Sequence, residues 1–168
     1  MGMSDAATTT ESVGTVEPAV AAFVFLEARL ADESRYQEWE GLWDDDNTLY
    51  WVPRREGADP DAEVSYIYDN RRRLASRIRQ LSSGVRHAQT PPSKMRRLLA
   101  NLEVTDIDAS TVTIGSNFVL YEYRQVLTLW AGRYLHRIRR GESGLRLVEK
   151  HVHLINGEGP LPNMAFLI

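Results

Sequence analysis

The densest run of ligand-type side chains is Glu149-Lys150-His151-Val152-His153. Two imidazoles and a carboxylate are the donors that hold a zinc or non-haem iron ion. On a strand, alternate residues share one face, so Glu149, His151 and His153 would line up together. The rise of a strand then separates Glu149 from His153 by roughly 13 Å, too far for one ion with bonds of about 2 Å to gather both. The spacing favours polar residues on a sheet surface, and no metal ligand is assigned.

Tyr66, Tyr68, Asp69, His87 and His136 are of the general acid–base type. They would act only if the fold brought them together in a cavity. The simpler reading packs Tyr68 on the sheet and pairs Asp69 with Arg72 or Arg73, at i+3 and i+4 on one helix. No catalytic residue is assigned. The run Arg71, Arg72, Arg73, Arg77 and Arg79 sits in a chain of formal net charge -3 and lacks interleaved aromatics, so nucleic acid is not the expected partner. Ion pairing within the fold or across a subunit interface explains it better. Asp44-Asp45-Asp46 lacks the glycine and terminal glutamate of a calcium loop. Ser93 is in no G-x-S-x-G, and neither a P-loop nor a G-x-G-x-x-G occurs.

The chain contains no cysteine, which excludes disulfides and any cysteine-ligated zinc or iron–sulfur cluster within it. No apolar run approaches the ~20 residues of a bilayer span, and no signal peptide is visible. The expectation is a cytoplasmic protein without a membrane partner.

The elements that must carry these residues are legible from periodicity. Residues 1–16 are small, polar and aperiodic, which reads as a disordered arm preceding a single domain over 17–168. Pro18 suits a first helical turn, and Phe23, Leu26 and Leu30 predict a helix over 17–31. Ser34 and Gln37 have capping-box spacing and predict a second helix carrying Tyr36, Trp39 and Trp43. A strand over 48–52 ends at Pro53, and 54–63 is a loop. Ile67, Leu74, Ile78 and Leu81 predict a third helix over 64–82, ended by Gly84. Leu98, Ala100, Leu102 and Val104 then alternate with Arg97, Asn101, Glu103 and Thr105, as in a strand with one buried face. Further strands are expected over 111–123, 125–139 and 145–155, with a hairpin turn at 141–144. The class is α+β, with three N-terminal helices packed on a curved, mostly antiparallel sheet. The sheet's other face also carries apolar residues, which another subunit would cover.

The blocks FLEARLADESRYQEWEGLW, YWVP, YDNRRRLASRI, AQTPPSKMRRLLANLEV, NFVLYEYR, GRYLHRIRR and a final FLI follow one another in that order. Their succession resembles the small (beta) subunits of Rieske-type aromatic-ring-hydroxylating dioxygenases, from about Phe23 to Ile168. The resemblance implies a cone-shaped fold like nuclear transport factor 2 and scytalone dehydratase. It implies three small subunits beneath three large ones, an alpha3beta3 hexamer built on a self-trimer. The Rieske [2Fe-2S] cluster and the mononuclear Fe(II) would sit in the large (alpha) subunit, with electrons from NAD(P)H through a reductase. This chain would hold no cofactor and support the large subunit structurally. The chain's own residues agree on one point: without cysteine and with four histidines, it cannot supply a Rieske centre and an iron site. Some proteins of this fold do use Tyr, His and Asp in the cone to dehydrate, isomerise or cyclise a ring, and others only bind ligands.

Trp51, Pro53, Gln89, Pro91, Pro92 and Asn101 lie in these blocks but make no catalytic set. Aromatic residues and rigid proline turns suit an interface, and Arg72 joins them from the basic run. Internal packing of the bend between the third helix and the sheet is the alternative. If the interface reading holds, Trp51→Ala weakens assembly in sedimentation more than it lowers the melting temperature of the chain alone; equal losses contradict it.

Overall fold

The computed structural model describes residues 14–83 and 91–168. Most of the expected arm, with Gly84, His87 and Gln89, lies outside the described residues. At the described end of that arm, Gly14 bridges Val104 and Val16 packs against the core.

Helix α1 spans Pro18–Asp32, with Pro18 in its first turn and Val20, Phe23, Val24, Leu30 and Ala31 buried. Its end corrects the expected capping box. Ser34 takes φ 56, and the Arg35 N–H donates to the Leu30 carbonyl at 2.9 Å, six residues closing one loop. Ser34 is thus the left-handed residue that terminates α1, and cannot also cap the next helix. Helix α2 is a single short piece, Tyr36–Glu40, entered from Arg35 with no side-chain cap. The Gln37 amide donates instead to Ser82 Oγ at 3.0 Å.

Strand β1, Leu49–Val52, pairs antiparallel with β2, Ile67–Asp69. The expected third helix included residues 64–69, but these form a loop and β2. Ile67 and Asp69 are buried while Tyr68 is exposed, a period of two. Helix α3 runs only over Arg71–Ser82, because Asn70 is extended and its side chain accepts the Arg73 N–H at 3.1 Å. Strands β3, Lys94–Ile107, β4, Thr111–Tyr123, β5, Leu127–Gly141, and β6, Gly144–Leu154, form a long meander. The sheet order is β2-β1-β6-β5-β4-β3, antiparallel except where β1 meets β6. This is the expected α+β class, helices on the inner face.

Strand β3 departs from its expected pattern. Leu98 is 64% exposed, while Met95 and Arg97 face inward. Leu102 and Val104 pack against the core only after Asn101, where φ is 53 and pairing jumps from Ala100↔Asn117 to Glu103↔Gly115. The bulge puts two β3 residues opposite one of β4 and reverses which residues face in. Aromatic contacts fill the interior: Trp39, Trp43 and Tyr50 meet edge-on or tilted, and Phe118 stacks on Tyr134 at 3.9 Å.

The bulge makes Asn101 a backbone-determined position. In urea denaturation, Asn101→Val should lose about 1–2 kcal/mol, since a β-branched residue resists positive φ, whereas Asn101→Gly should stay within about 1 kcal/mol of the parent.

Candidate functional site

The inner face of the sheet, beneath the helices, buries several ionisable groups. Glu27 lies on the apolar face of α1, four residues after Phe23 and three before Leu30, so its carboxylate points inward. It is 0% exposed. Trp39 Nε1, from α2, donates to its Oε1 at 2.6 Å, and Lys150 Nζ, from β6, donates to the same oxygen at 2.8 Å. His136 Nε2, from β5, lies 3.4 Å from Oε2. The Lys150 ammonium sits 4.4 Å from the centre of the Tyr134 ring.

A second buried pair adjoins the first. Arg97 Nε donates to Asp32 Oδ1 at 2.7 Å, and the Arg97 backbone N–H to Oδ2 at 2.8 Å. The other guanidinium nitrogens reach the Tyr134 hydroxyl at 3.2 Å and the Leu167 carbonyl at 2.8 Å. The final segment closes over this group. Residues 165–168 are buried, and Tyr50 OH both donates to the Ile168 carbonyl at 2.8 Å and accepts its N–H at 3.0 Å.

Burial alone would raise the Glu27 carboxyl, but the Lys150 ammonium, the His136 hydrogen bond and Arg97 outweigh it and hold the group far below the usual carboxylate range. Burial pushes Lys150 down to about 8, with Glu27 opposing. Burial also lowers His136 against the pull of Glu27, leaving a neutral imidazole at neutral pH. An ionised Glu27 only accepts, which assigns the His136 proton to Nε2 and leaves Nδ1 as a buried acceptor without a partner among the described residues.

Acid–base groups are therefore present, and the described residues bury them. Lys150 is 0% and His136 1% exposed. The surface groove lined by Pro53, Asn117, Arg133 and His153 does not include them. The cluster is a charge-matched core.

The acid–base residues named from sequence do not converge. His136 joins Glu27, but Tyr66 OH donates to the Gly157 carbonyl at 2.6 Å. Tyr68 is on the outer face against Trp51, with ring centres 6.3 Å apart. Asp69 pairs with Arg77 at 2.6 Å and not with Arg72 or Arg73, because a strand and the cap at Asn70 separate it from the helix. Glu149, His151 and His153 share the outer face as their spacing implies. Glu149 pairs with His151 at 3.0 Å and Arg137 at 3.1 Å, and His153 lies apart with Trp51 beside both imidazoles. Among the described residues no three His, Asp or Glu side chains gather as ligands. Arg71 bridges Glu40 and Asp45.

The interface candidates are spread out. Trp51 is half-buried on β1 and donates to Ser65 Oγ at 2.8 Å, and Pro53 is buried beyond it. Pro91, Pro92 and Asn101 are exposed at or near β3, with β6, β5 and β4 intervening. Arg72 is exposed on α3.

Sequence reasoning missed Glu27, Lys150, Arg97 and Asp32. Two left a signal: Glu27 interrupts an apolar helix face, and Lys150 alternates with Glu149 and His151 beside inward Val152. Arg97 left none, since only the bulge after it sets its direction.

Removing one partner should be costly and removing both cheap. Lys150→Met strands a buried carboxylate and should lose about 3–5 kcal/mol in chemical denaturation, with most of it recovered in Glu27→Leu/Lys150→Met; additive losses contradict the coupling. Because the folded Glu27 carboxyl lies below its ordinary 4.5, its contribution is present above that pH and lost as pH falls into the acid range. The parent should lose stability below pH 4.5 more steeply than the double variant.

Comparison with known proteins agrees with this geometry. The family described as ring hydroxylating beta subunit matches residues 26–158. The chain is 30% identical over 135 residues to the small oxygenase component of the p-cumate 2,3-dioxygenase system of Pseudomonas putida, covering 78% of this chain and 74% of that protein. It is 31% identical over 144 residues to the 2-halobenzoate 1,2-dioxygenase small subunit of Burkholderia cepacia, covering 82% and 87%. The crystal structure of the beta subunit of the benzoate 1,2-dioxygenase from Burkholderia mallei aligns with TM-score 0.74 at 24% identity, over 92% of this chain and 99% of that one. An NTF2-like protein with a cystatin-like fold from Novosphingobium aromaticivorans aligns at 0.55 with 17% identity, over 83% and 81%. The fold is NTF2-like, and the chain belongs to the ring-hydroxylating beta subunit family.

Proposed function

We propose that this chain is the non-catalytic small subunit of a multicomponent aromatic-ring-hydroxylating dioxygenase. Family membership across most of the chain carries the reading. The reaction would place both atoms of O2 on an aromatic ring as a cis-dihydrodiol, with two electrons from NAD(P)H through a reductase. The Rieske [2Fe-2S] cluster and mononuclear Fe(II) belong to the large subunit, since a chain without cysteine cannot ligate such a cluster. This chain forms the base of an alpha3beta3 hexamer in the cytoplasm. Trp51, Arg72, Pro91, Pro92 and Asn101 are exposed enough to take part in subunit contacts, and buried Pro53 would act by stiffening the turn after β1.

The rival reading, a stand-alone dehydratase, isomerase or cyclase, needs an acid and a base around an open cavity. Of the set Tyr68, Asp69 and His87, Tyr68 is on the outer face and Asp69 is tied to Arg77, and His87 lies outside the described residues.

Size-exclusion chromatography with light scattering, on this chain alone and co-expressed with a Rieske-type large subunit from the same organism, tests the proposal. The expected result is a mixed complex with iron only in the larger chain and oxygenase activity only in the complex. A chain that ignores the large subunit and turns over a ring compound by itself contradicts it.

A further inference from the structure

Residues 155–168 run as turns and irregular chain after β6, yet Ala165, Phe166, Leu167 and Ile168 are buried. A buried segment outside the sheet must satisfy its backbone polar groups some other way. Here side chains do it. Arg97 Nη2 donates to the Leu167 carbonyl at 2.8 Å. The Tyr50 hydroxyl takes both polar groups of Ile168, donating to its carbonyl at 2.8 Å and accepting its N–H at 3.0 Å. The Phe166 ring meets Trp130 edge-on, with ring centres 5.5 Å apart. Tyr50 comes from β1, Arg97 from β3 and Trp130 from β5.

Each of these three side chains is also held by partners outside the segment. Asp32 fixes Arg97 through Nε at 2.7 Å and through its backbone N–H at 2.8 Å. Tyr50 pairs with Asp69 on one side and Lys150 on the other, and its ring lies against Trp39 and Trp43. Trp130 Nε1 donates to Glu122 Oε2 at 3.0 Å. The seat therefore does not owe its shape to its occupant, which is the condition for a preorganised site. The approach to it is held more loosely. The Tyr66 hydroxyl anchors the chain at the Gly157 carbonyl at 2.6 Å, but Glu158, Pro160, Pro162 and Asn163 beyond it are exposed.

We propose that this seat is a peptide-binding site whose occupant is the chain's own segment 165–168, and that the segment leaves and re-enters it without unfolding of the sheet. The ligand class is a short apolar peptide, an aromatic residue followed by two aliphatic ones. Arg97 and Tyr50 read main-chain groups, and Trp130 selects the ring. An apolar molecule without a carbonyl acceptor would leave the Arg97 and Tyr50 donors unmet, and burial makes that costly.

Two measurements on the full chain test the proposal. The first is amide hydrogen exchange. The Ile168 N–H should exchange at least roughly tenfold faster than the paired amides of β5, by a local opening; equal rates would mean that the segment leaves only with global unfolding, and overturn the inference. The second inserts a protease site between Pro162 and Asn163 and cuts it after folding. The cut segment should co-elute with the body and be displaced by labelled peptide of the sequence Asn163–Ile168, with the Phe166→Ala peptide binding roughly tenfold or more weakly. A body that unfolds as soon as the bond is cut overturns the inference, as does a folded body that takes up no peptide or binds both peptides alike. The exchange measurement needs no insertion and decides alone if the inserted chain fails to fold.

Discussion

A carboxylate with no exposure, in the middle of the first helix, has to be matched or that helix cannot sit on the sheet. Glu27 is matched by three groups from three elements: Trp39 on α2, His136 on β5 and Lys150 on β6. Each needs its own element in register. Lys150 faces inward only because Glu149 and His151 face outward, and His136 lies beside it because β5 and β6 pair at His136↔Lys150. Arg97 extends the same constraint to β3 and to the end of the chain through Asp32 and the Leu167 carbonyl. A buried ionic cluster of this kind is poor evidence of added stability, since apolar replacement is often as stable. What it enforces here is geometry, because a slipped strand would leave a charge unpaired.

This constraint divides the molecule by face. The inner face pairs Glu27 with Lys150 and Asp32 with Arg97, under buried residues 165–168. The outer face keeps its aromatic, cationic and leucine side chains exposed. Charge matched inside and apolar side chains exposed outside suit the proposed structural subunit.

Much of the fold was legible because the long elements have strong periods. The first helix and strands β4 to β6 followed their apolar spacing to within a few residues, and the α+β order followed from helices preceding strands. The misreadings share one physical origin, local backbone geometry that overrides side-chain pattern. Ser34 looked like a helix start and is a helix end, because its φ of 56 closes α1. Residues 64–69 continued an apparent helical pattern, but the Asn70 cap fixes the start of α3 after them. Leu98 and Arg97 exchanged faces because of the bulge at Asn101. The ion cluster was hidden for a different reason. Its members are far apart in sequence, Glu27 and Lys150 by 123 positions, and only the finished sheet brings them together. The absence of cysteine, by contrast, needed no structure to exclude a cysteine-ligated cluster from this chain.

On the proposed reading the cone interior holds the subunit in shape and takes no part in the reaction. The direct measurement is product formation by the complex assembled with Glu27→Leu/Lys150→Met in place of the parent small subunit, with complex size and iron content checked on the same sample. An intact complex should keep its turnover when the interior charges are replaced by apolar side chains. Loss of turnover in a complex of normal size and iron content would contradict it, and would return the buried carboxylate and ammonium to the chemistry.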